Sequence, residues 1–469
     1  MAHCVRSLRY PPWSGAREGS LVRRTPFVLA VVASTLVGVA PAADAAGEAV
    51  PVQVLAINDL HGRISLTEGD ESRLVVGPGP DGTFGKDAAG RSDDDVTRVG
   101  GVMNVATTVQ ELQRDFRSQA GGSAASIFVG GGDLIGASPP VSGAYRDEPT
   151  IEALNELGLD VSAVGDDEFG LGTAELRRIS AATDGQNTDD VTACQGVTPG
   201  ADGCFGTDEH AFTGAEFPYL AANVVSRQTG EPMLPPYQVF FTPLGVKVAL
   251  IGVVTDKPRH VPPEGITDVQ FLDPADAVDR WVPELQDQGV QAIGALVHEG
   301  GPETGPGAAD PNSCDQLDGP IVDINNRIDP AVDFIVSGHT HGAYTCMLPV
   351  PRAEPRLVTQ AGSHGELITD IRLTLDRGTG DIDRAATYSA VNVPVERREA
   401  DARLQAIVDY WTAGPGSQAG AEPAGAVDTS ATADAPAGAN RAALGIVVLI
   451  SIALLVVATL AVRRRLQAR

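Results

Sequence analysis

A chain of 469 residues with 43% apolar and 20% charged residues can bury a large core and has ordinary globular composition. Between positions 46 and 440 stand 24 basic residues against 59 acidic ones, a net charge of −35 that repels nucleic-acid backbones and argues against a DNA or RNA partner. A small anionic substrate suits such a body only where bound cations supply local positive potential.

The chain opens with Arg23 and Arg24, the apolar run Phe27 to Ala40, and Ala43-Asp44-Ala45. That layout predicts a signal peptide over 1–46. Apolar, β-rich runs follow at Val52–Ile57, Ser126–Val129, Val161–Val164, Val246–Val254, Ala292–Val297, Val332–Val336 and Arg356–Thr359. Helix-like stretches lie among them at Val102–Arg117, Thr150–Leu157, Ala174–Ala182 and Pro274–Gln286. The alternation predicts an α/β domain over 47–398 with a sheet covered on both faces. Thr67–Asp95, rich in Gly and Asp, and Thr183–Glu216 read as surface loops. Residues 412–440 are mostly Ala, Gly, Pro, Ser and Thr and read as a flexible linker. Ala442–Val462 is 21 residues without a charge, stopped by Arg463-Arg464-Arg465. This predicts a membrane anchor and basic tail over 441–469, with the C-terminus cytoplasmic and the body on the outer face of the cell membrane. Cys4 leaves with the leader; of the three pairings open to the other four cysteines, Cys194–Cys204 with Cys314–Cys346 is the expectation in an oxidising compartment.

Five apolar runs end in the same kinds of residue. VLAIND ends at Asp59, with His61 two further on; SIFVGGGD ends at Asp133, and VSAVGDD at Asp166 and Asp167. AIGALVH ends at His298, and VDFIVSGHTH at His339 and His341. The carboxyl ends of strands form the ligand crevice of open α/β sheets. Imidazoles and carboxylates gathered there make a mixed N/O site for divalent ions. So many carboxylates would repel one another, and two dications would neutralise them, with Asp133 as the natural bridge. Each motif alone reads equally as a cap or turn; five matching strand ends favour metal. GGGD is not followed by Lys and Ser or Thr, so it is no P-loop.

INDLHGR, GGGDLIGASP, VGDDEFG, LVHEGG and SGHTHG, in this order between about Pro51 and Val395, resemble the metallophosphoesterases of the bacterial 5′-nucleotidase and UDP-sugar hydrolase type. The resemblance implies a four-layer αββα sandwich and a centre of two divalent ions, Zn, Mn, Fe, Mg or Ca. It implies Asp59, His61 and His341 on the first ion, Asp133 between them, and Asp166, His298 and His339 on the second. The implied reaction is hydrolysis of a small phosphorylated substrate, a nucleotide or nucleotide-sugar, with the ions clamping attacking and leaving oxygens. A metal-binding surface protein with little turnover is the alternative, and a phosphodiesterase a third reading.

Two departures qualify the resemblance. The resembled pattern Gly-Asn-His-Glu is here Gly165-Asp166-Asp167-Glu168. Asp166 can replace Asn as an oxygen ligand. Asp167 stands where the resembled enzymes place a catalytic histidine; ionised beside two dications, it offers no proton and repels phosphate. Loss of a general acid costs about 10²–10⁴ in rate, least for phosphoanhydrides. His364, in QAGSHGE, is a candidate substitute donor, with a functionless loop histidine the alternative; His210 and His260 read as surface. The resembled enzymes also continue into a nucleotide-gripping domain. Residues 399–411 read here as the start of the connecting helix, which leaves substrate recognition to the metal domain, its insertions or a partner.

Overall fold

The computed structural model describes residues 48–66, 68–86, 92–184, 212, 214–259, 261 and 263–414. The expected leader, the Cys194–Cys204 pair, His210, His260, the linker from 415 and the segment Ala442–Val462 lie outside them. All described residues belong to the unit Met1–Gln418; the second unit, Ala419–Arg469, lies outside them. No helix among the described residues is long and apolar enough to cross a membrane.

Two six-stranded sheets carry the architecture. The chain lays down β1 (Ala49–Ile57), β2 (Ala125–Gly130), β3 (Val161–Ala163) and β4 (Tyr219–Leu220) in the first sheet. It crosses to the second with β5 (Tyr237–Phe241), β6 (Lys247–Val254), β7 (Ala292–His298), β8 (Phe334–Ser337), β9 (Ala343–Val350) and β10 (Ala353–Ala361). It then returns with β11 (Leu367–Asp376) and β12 (Tyr388–Pro394). The first sheet runs β12-β11-β1-β2-β3-β4 and the second β9-β10-β8-β7-β6-β5. β1 to β4 are mutually parallel, as are β6, β7, β8 and β10. Strands β11, β12, β9 and β5 pair antiparallel at the flanks.

Strand periodicity explains the layering. Val52, Val54 and Ala56 of β1 join Leu250, Leu296 and Val336 in the core between the sheets. Leu55 and Ile57, pointing the other way, join Val105 of α1 (Val102–Ala120), Leu154 of α2 (Glu148–Leu157) and Leu176 of α3 (Thr173–Asp184). On the far side, Ile251 and Ile293 meet Val278 of α4 (Pro274–Asp287) and Ile324 of α5 (Pro320–Arg327). The result is helix, sheet, sheet, helix. Asp273 caps α4 by accepting from the N–H groups of Ala275 at 2.9 Å and Asp276 at 3.1 Å, with Pro274 in the first turn. Asp401 caps α6 (Ala402–Ala413) in the same way, and Trp411, 2% exposed, donates its indole N–H to Glu152 at 2.7 Å. This last helix therefore shares the core of α1 and α2.

Several boundaries and elements differ from the sequence reading. Thr67–Asp95 is not wholly loop: Arg73–Gly77 pairs with Asp95–Arg98 as an antiparallel ribbon, where β-branched residues outweigh the surrounding Gly and Asp. The run expected at Val332–Val336 forms a strand only from Phe334. The short helix α5 and the strands β4, β5, β9, β11 and β12 were not foreseen. The Cys314–Cys346 disulfide is formed, with Cα atoms 5.2 Å apart.

Candidate metal centre

The parallel strands β1, β2, β3, β7 and β8 all discharge their chains at one edge, where the two sheets meet. There the backbone turns sharply with side chains still attached. Asp59, His61, Asp133, His339, His341 and His364 have φ between 47° and 73° and make up six of ten non-glycine residues with positive φ among the described residues. That region disfavours residues with a Cβ, and its cost is borne where the side chain must be aimed. Gly132 (φ 91°) sits in the same bend for a different reason: a Cβ there would lie 2.5 Å from His298 Nδ1.

All seven residues expected as ligands converge. Asp133, Asp166, His298 and His339 bring one donor atom each within 4.8 Å of one another, as do Asp59, His61 and His341. A third such group, His61, Asp133 and Asp167, overlaps both. Asp59, His61, Asp133, Asp166 and His298 are buried, whereas the His341 side chain is 41% exposed.

Each carboxylate is fixed by main chain. Asp59 accepts from the His339 N–H at 3.0 Å and from the Asn58 amide at 2.7 Å. Asp133 Oδ1 accepts from the Asp167 N–H at 2.8 Å, and Asp166 Oδ2 from the Arg259 N–H at 2.7 Å. Glu168 binds the bends together, accepting from the N–H groups of Asp133 and Leu134 at 2.9 Å and of Gly165 at 2.6 Å. Asn58 and Glu168 were not singled out from sequence, though both stand inside the motifs INDLHGR and VGDDEFG.

The chemistry of this donor set calls for a cation. His298 Nδ1 lies 2.8 Å from the Gly131 carbonyl, which can only accept, so the neutral ring carries its proton there and directs a lone pair from Nε2. That lone pair faces Asp133 Oδ2 at 3.1 Å and Asp166 Oδ1 at 3.4 Å. His298 Nε2 and Asp166 Oδ1 are buried and have no hydrogen-bond partner. With the ring neutral, these three atoms hold no proton among them; a further ring nitrogen, His339 Nδ1, lies 3.0 Å from Asp166 Oδ1. Such groups are tolerated when a dication satisfies them. The local field is strongly negative: burial opposes charge on His298, yet Asp133 pushes its pKa well above the ordinary value, so without a bound cation the ring takes up the positive charge itself. Burial lifts Asp59 to about 6.

His364 also joins the site. Its N–H donates to the Asp59 carbonyl at 2.8 Å, and its ring lies 5.5 Å from that of His341 and 6.0 Å from that of His61. Burial and the nearby Arg63 push its pKa down to about 3, so the ring is neutral at neutral pH.

No family model matches the chain. Sequence relatives and a solved structure do. The chain is 32% identical over 365 residues to the Endonuclease YhcR of Bacillus subtilis, covering 78% of this chain and 25% of that protein. It is 29% identical over 416 residues to the Cell wall protein Lmo0130 of Listeria monocytogenes, covering 82% of this chain and 47% of that one. The 5′-nucleotidase precursor of Thermus thermophilus superposes with a TM-score of 0.52 at 20% identity, over 77% of this chain and 58% of that one. The chain belongs to the metallophosphoesterase/5′-nucleotidase family. The structural likeness gives this metallophosphoesterase the mixed α/β fold of that 5′-nucleotidase precursor. It spans about a quarter and about half the length of the two sequence relatives.

Proposed function

We propose that the chain is a metal-dependent hydrolase of small phosphorylated substrates, of the nucleotide or nucleotide-sugar class, working outside the cytoplasm. The observation that carries this reading is the convergence of Asp133, Asp166, His298 and His339, one ligand atom each within 4.8 Å of the others. Asp133, Asp166, His298 and His339 would hold one divalent ion, and Asp59, His61 and His341 a second, with Asp133 shared. Such a pair, once bound, supplies Lewis acidity toward phosphoryl oxygens and activates water.

The chain's own residues set the rest. Glu168 and Asn58 hold the ligand-bearing bends in place, so the donors need no rearrangement when substrate arrives. His341, the exposed ligand, marks the side from which phosphate enters. His364 is neutral and can donate one ring N–H to a phosphoryl or leaving oxygen, but it is no strong acid. Asp167 supplies no proton. Alkoxide leaving groups therefore receive a hydrogen bond at most, and phosphoanhydrides, whose leaving groups need little help, become the better substrates. Placement at the cell surface, expected from the two ends of the sequence, accords with the name of the Listeria relative.

Phosphate release from AMP and from a UDP-sugar, with Mn²⁺, Zn²⁺ or Mg²⁺ added, tests this. The UDP-sugar is expected to be the faster substrate, and Asp167→His to raise AMP turnover by about 10² or more. Faster AMP hydrolysis by the wild type, or a silent Asp167→His, rejects the preference. Metal binding without turnover of any phosphorylated compound leaves a metal-holding surface protein instead.

A further inference from the structure

Asp167 is where the sequence departs furthest from the resembled pattern, and the fold gives its carboxylate a protein neighbour. Its Oδ2 lies 3.3 Å from Nδ1 of His61. The same nitrogen lies 3.0 Å from the Gly136 carbonyl oxygen. Neither oxygen can donate to it, so Nδ1 carries the ring proton and shares it between carbonyl and carboxylate. Nε2 keeps its lone pair. It lies 3.0 Å from His341 Nε2 and 4.0 Å from both Asp59 Oδ1 and Asp133 Oδ2. A carboxylate behind a ligating imidazole fixes its tautomer and ring plane and strengthens it as a donor to metal.

The local backbone is shaped for this approach. The Asp167 N–H donates to Asp133 Oδ1 at 2.8 Å, fastening the residue to the other ligand group. Gly136 (φ 83°) supplies the carbonyl and also the room: a Cβ there would lie 2.5 Å from the Asp167 carbonyl oxygen and 2.8 Å from the Asp167 Cβ. Only glycine lets the two bends close. The Asp167 side chain is 14% exposed, so it is seated between its neighbours and not free in solvent.

We propose that Asp167 is a positioning residue for His61: its carboxylate holds the Nδ1 proton of the imidazole whose Nε2 completes the exposed half of the centre, while its N–H holds Asp133. The inference rests on the two-ion reading above. It gives the acidic replacement a use of its own, in which a side chain that cannot serve the leaving group serves the ligand set.

Asp167→Asn keeps the size and an acceptor; Asp167→Ala keeps neither. Both are compared with wild type by calorimetric titration of Mn²⁺ into chelator-stripped protein and by the visible absorption of the Co²⁺-loaded forms. Wild type is expected to take two ions. Asp167→Ala should weaken one of them about 10–100-fold and shift the Co²⁺ bands, while Asp167→Asn restores most of the affinity. The thermal midpoint of the ion-free protein should be the same in all three. If Asp167→Ala binds both ions as wild type does, with unshifted bands, and inorganic phosphate inhibits it more strongly, Asp167 faces substrate and the inference is overturned while the two-ion reading stands. A wild type that binds no Mn²⁺ overturns both.

Discussion

In one half of the centre Asp133, Asp166 and His298 are buried with His339 at their margin; in the other, Asp59 and His61 are buried but the His341 side chain is 41% exposed. Both halves are drawn from both sheets: Asp133 and Asp166 follow β2 and β3 while His298 ends β7 and His339 follows β8, and Asp59 and His61 follow β1 while His341 follows β8. Without an ion the inner half's carboxylates are balanced by the imidazoles themselves, since Asp133 and Asp166 hold the pKa values of His298 and His339 above the ordinary value. The outer half has more slack: His61 and His341 meet Nε2 to Nε2 at 3.0 Å, and one proton between them can satisfy both. The inner half is the more buried, whereas the outer half opens to solvent at His341. That asymmetry predicts tight inner binding and weaker, exchangeable outer binding.

The sharpest way to break the asymmetry is through Asp133, which the two halves share. Asp133→Ala should lose both ions in elemental analysis and lower kcat/KM by about 10³-fold or more, the size expected when several kcal/mol of metal stabilisation disappear. Retention of both ions would show that Asp133 is no bridge. His341→Ala tests the outer half alone. One ion should stay bound, and kcat/KM should fall by a smaller factor, about 10², typical of a misplaced reacting group. Loss of both ions in this variant would mean that the halves are one cooperative unit.

The smallest effect is expected at Asp333, far from either half, and serves as a control for stability. Burial pushes its pKa up from 3.8 to about 7, outweighing the N–H of Ile293 at 2.9 Å and the Arg384 guanidinium at 3.0 Å. Between these two values the folded chain holds more protons than the unfolded one, so stability falls as pH rises through that window. Asp333→Asn should remove this share of the fall. Thermal midpoints measured from pH 4 to pH 8 check it: an unchanged slope in the variant would show that Asp333 is ionised throughout.

The ligand residues were legible because each follows a run that must be buried. VLAIND, SIFVGGGD and AIGALVH hold no charged residue or histidine until the chain reaches the edge of its sheet, so the first Asp or His there is placed by default. The flanking strand β11 hid itself by carrying charge. In LITDIRLTLD, Asp370 interrupts the apolar pattern, yet it is buried because Gln53 donates to it at 2.9 Å and Arg372 at 3.0 Å. Such a partner, more than three hundred residues away, has no trace in local periodicity. The left-handed bends at Asp59, His61 and Asp133 were equally hidden, since only glycines announce positive φ in a sequence. Asp167 illustrates the remaining gap: its motif position suggested a side chain turned to substrate, while the third dimension sets it behind His61.

The Cys314–Cys346 bridge lies at the root of a further dependence. It closes a ring of chain, with a sequence separation of 32, that contains both His339 and His341. A cross-link of that span contributes about 3–4 kcal/mol by restricting the unfolded chain, and it survives only where thiols are not kept reduced. Two of the four ligating imidazoles are therefore delivered by a segment whose fastening awaits an oxidant. Chains matured in a reducing cytosol would reach metal with that clasp undone, whereas the proposed placement outside the cytoplasm would let it close.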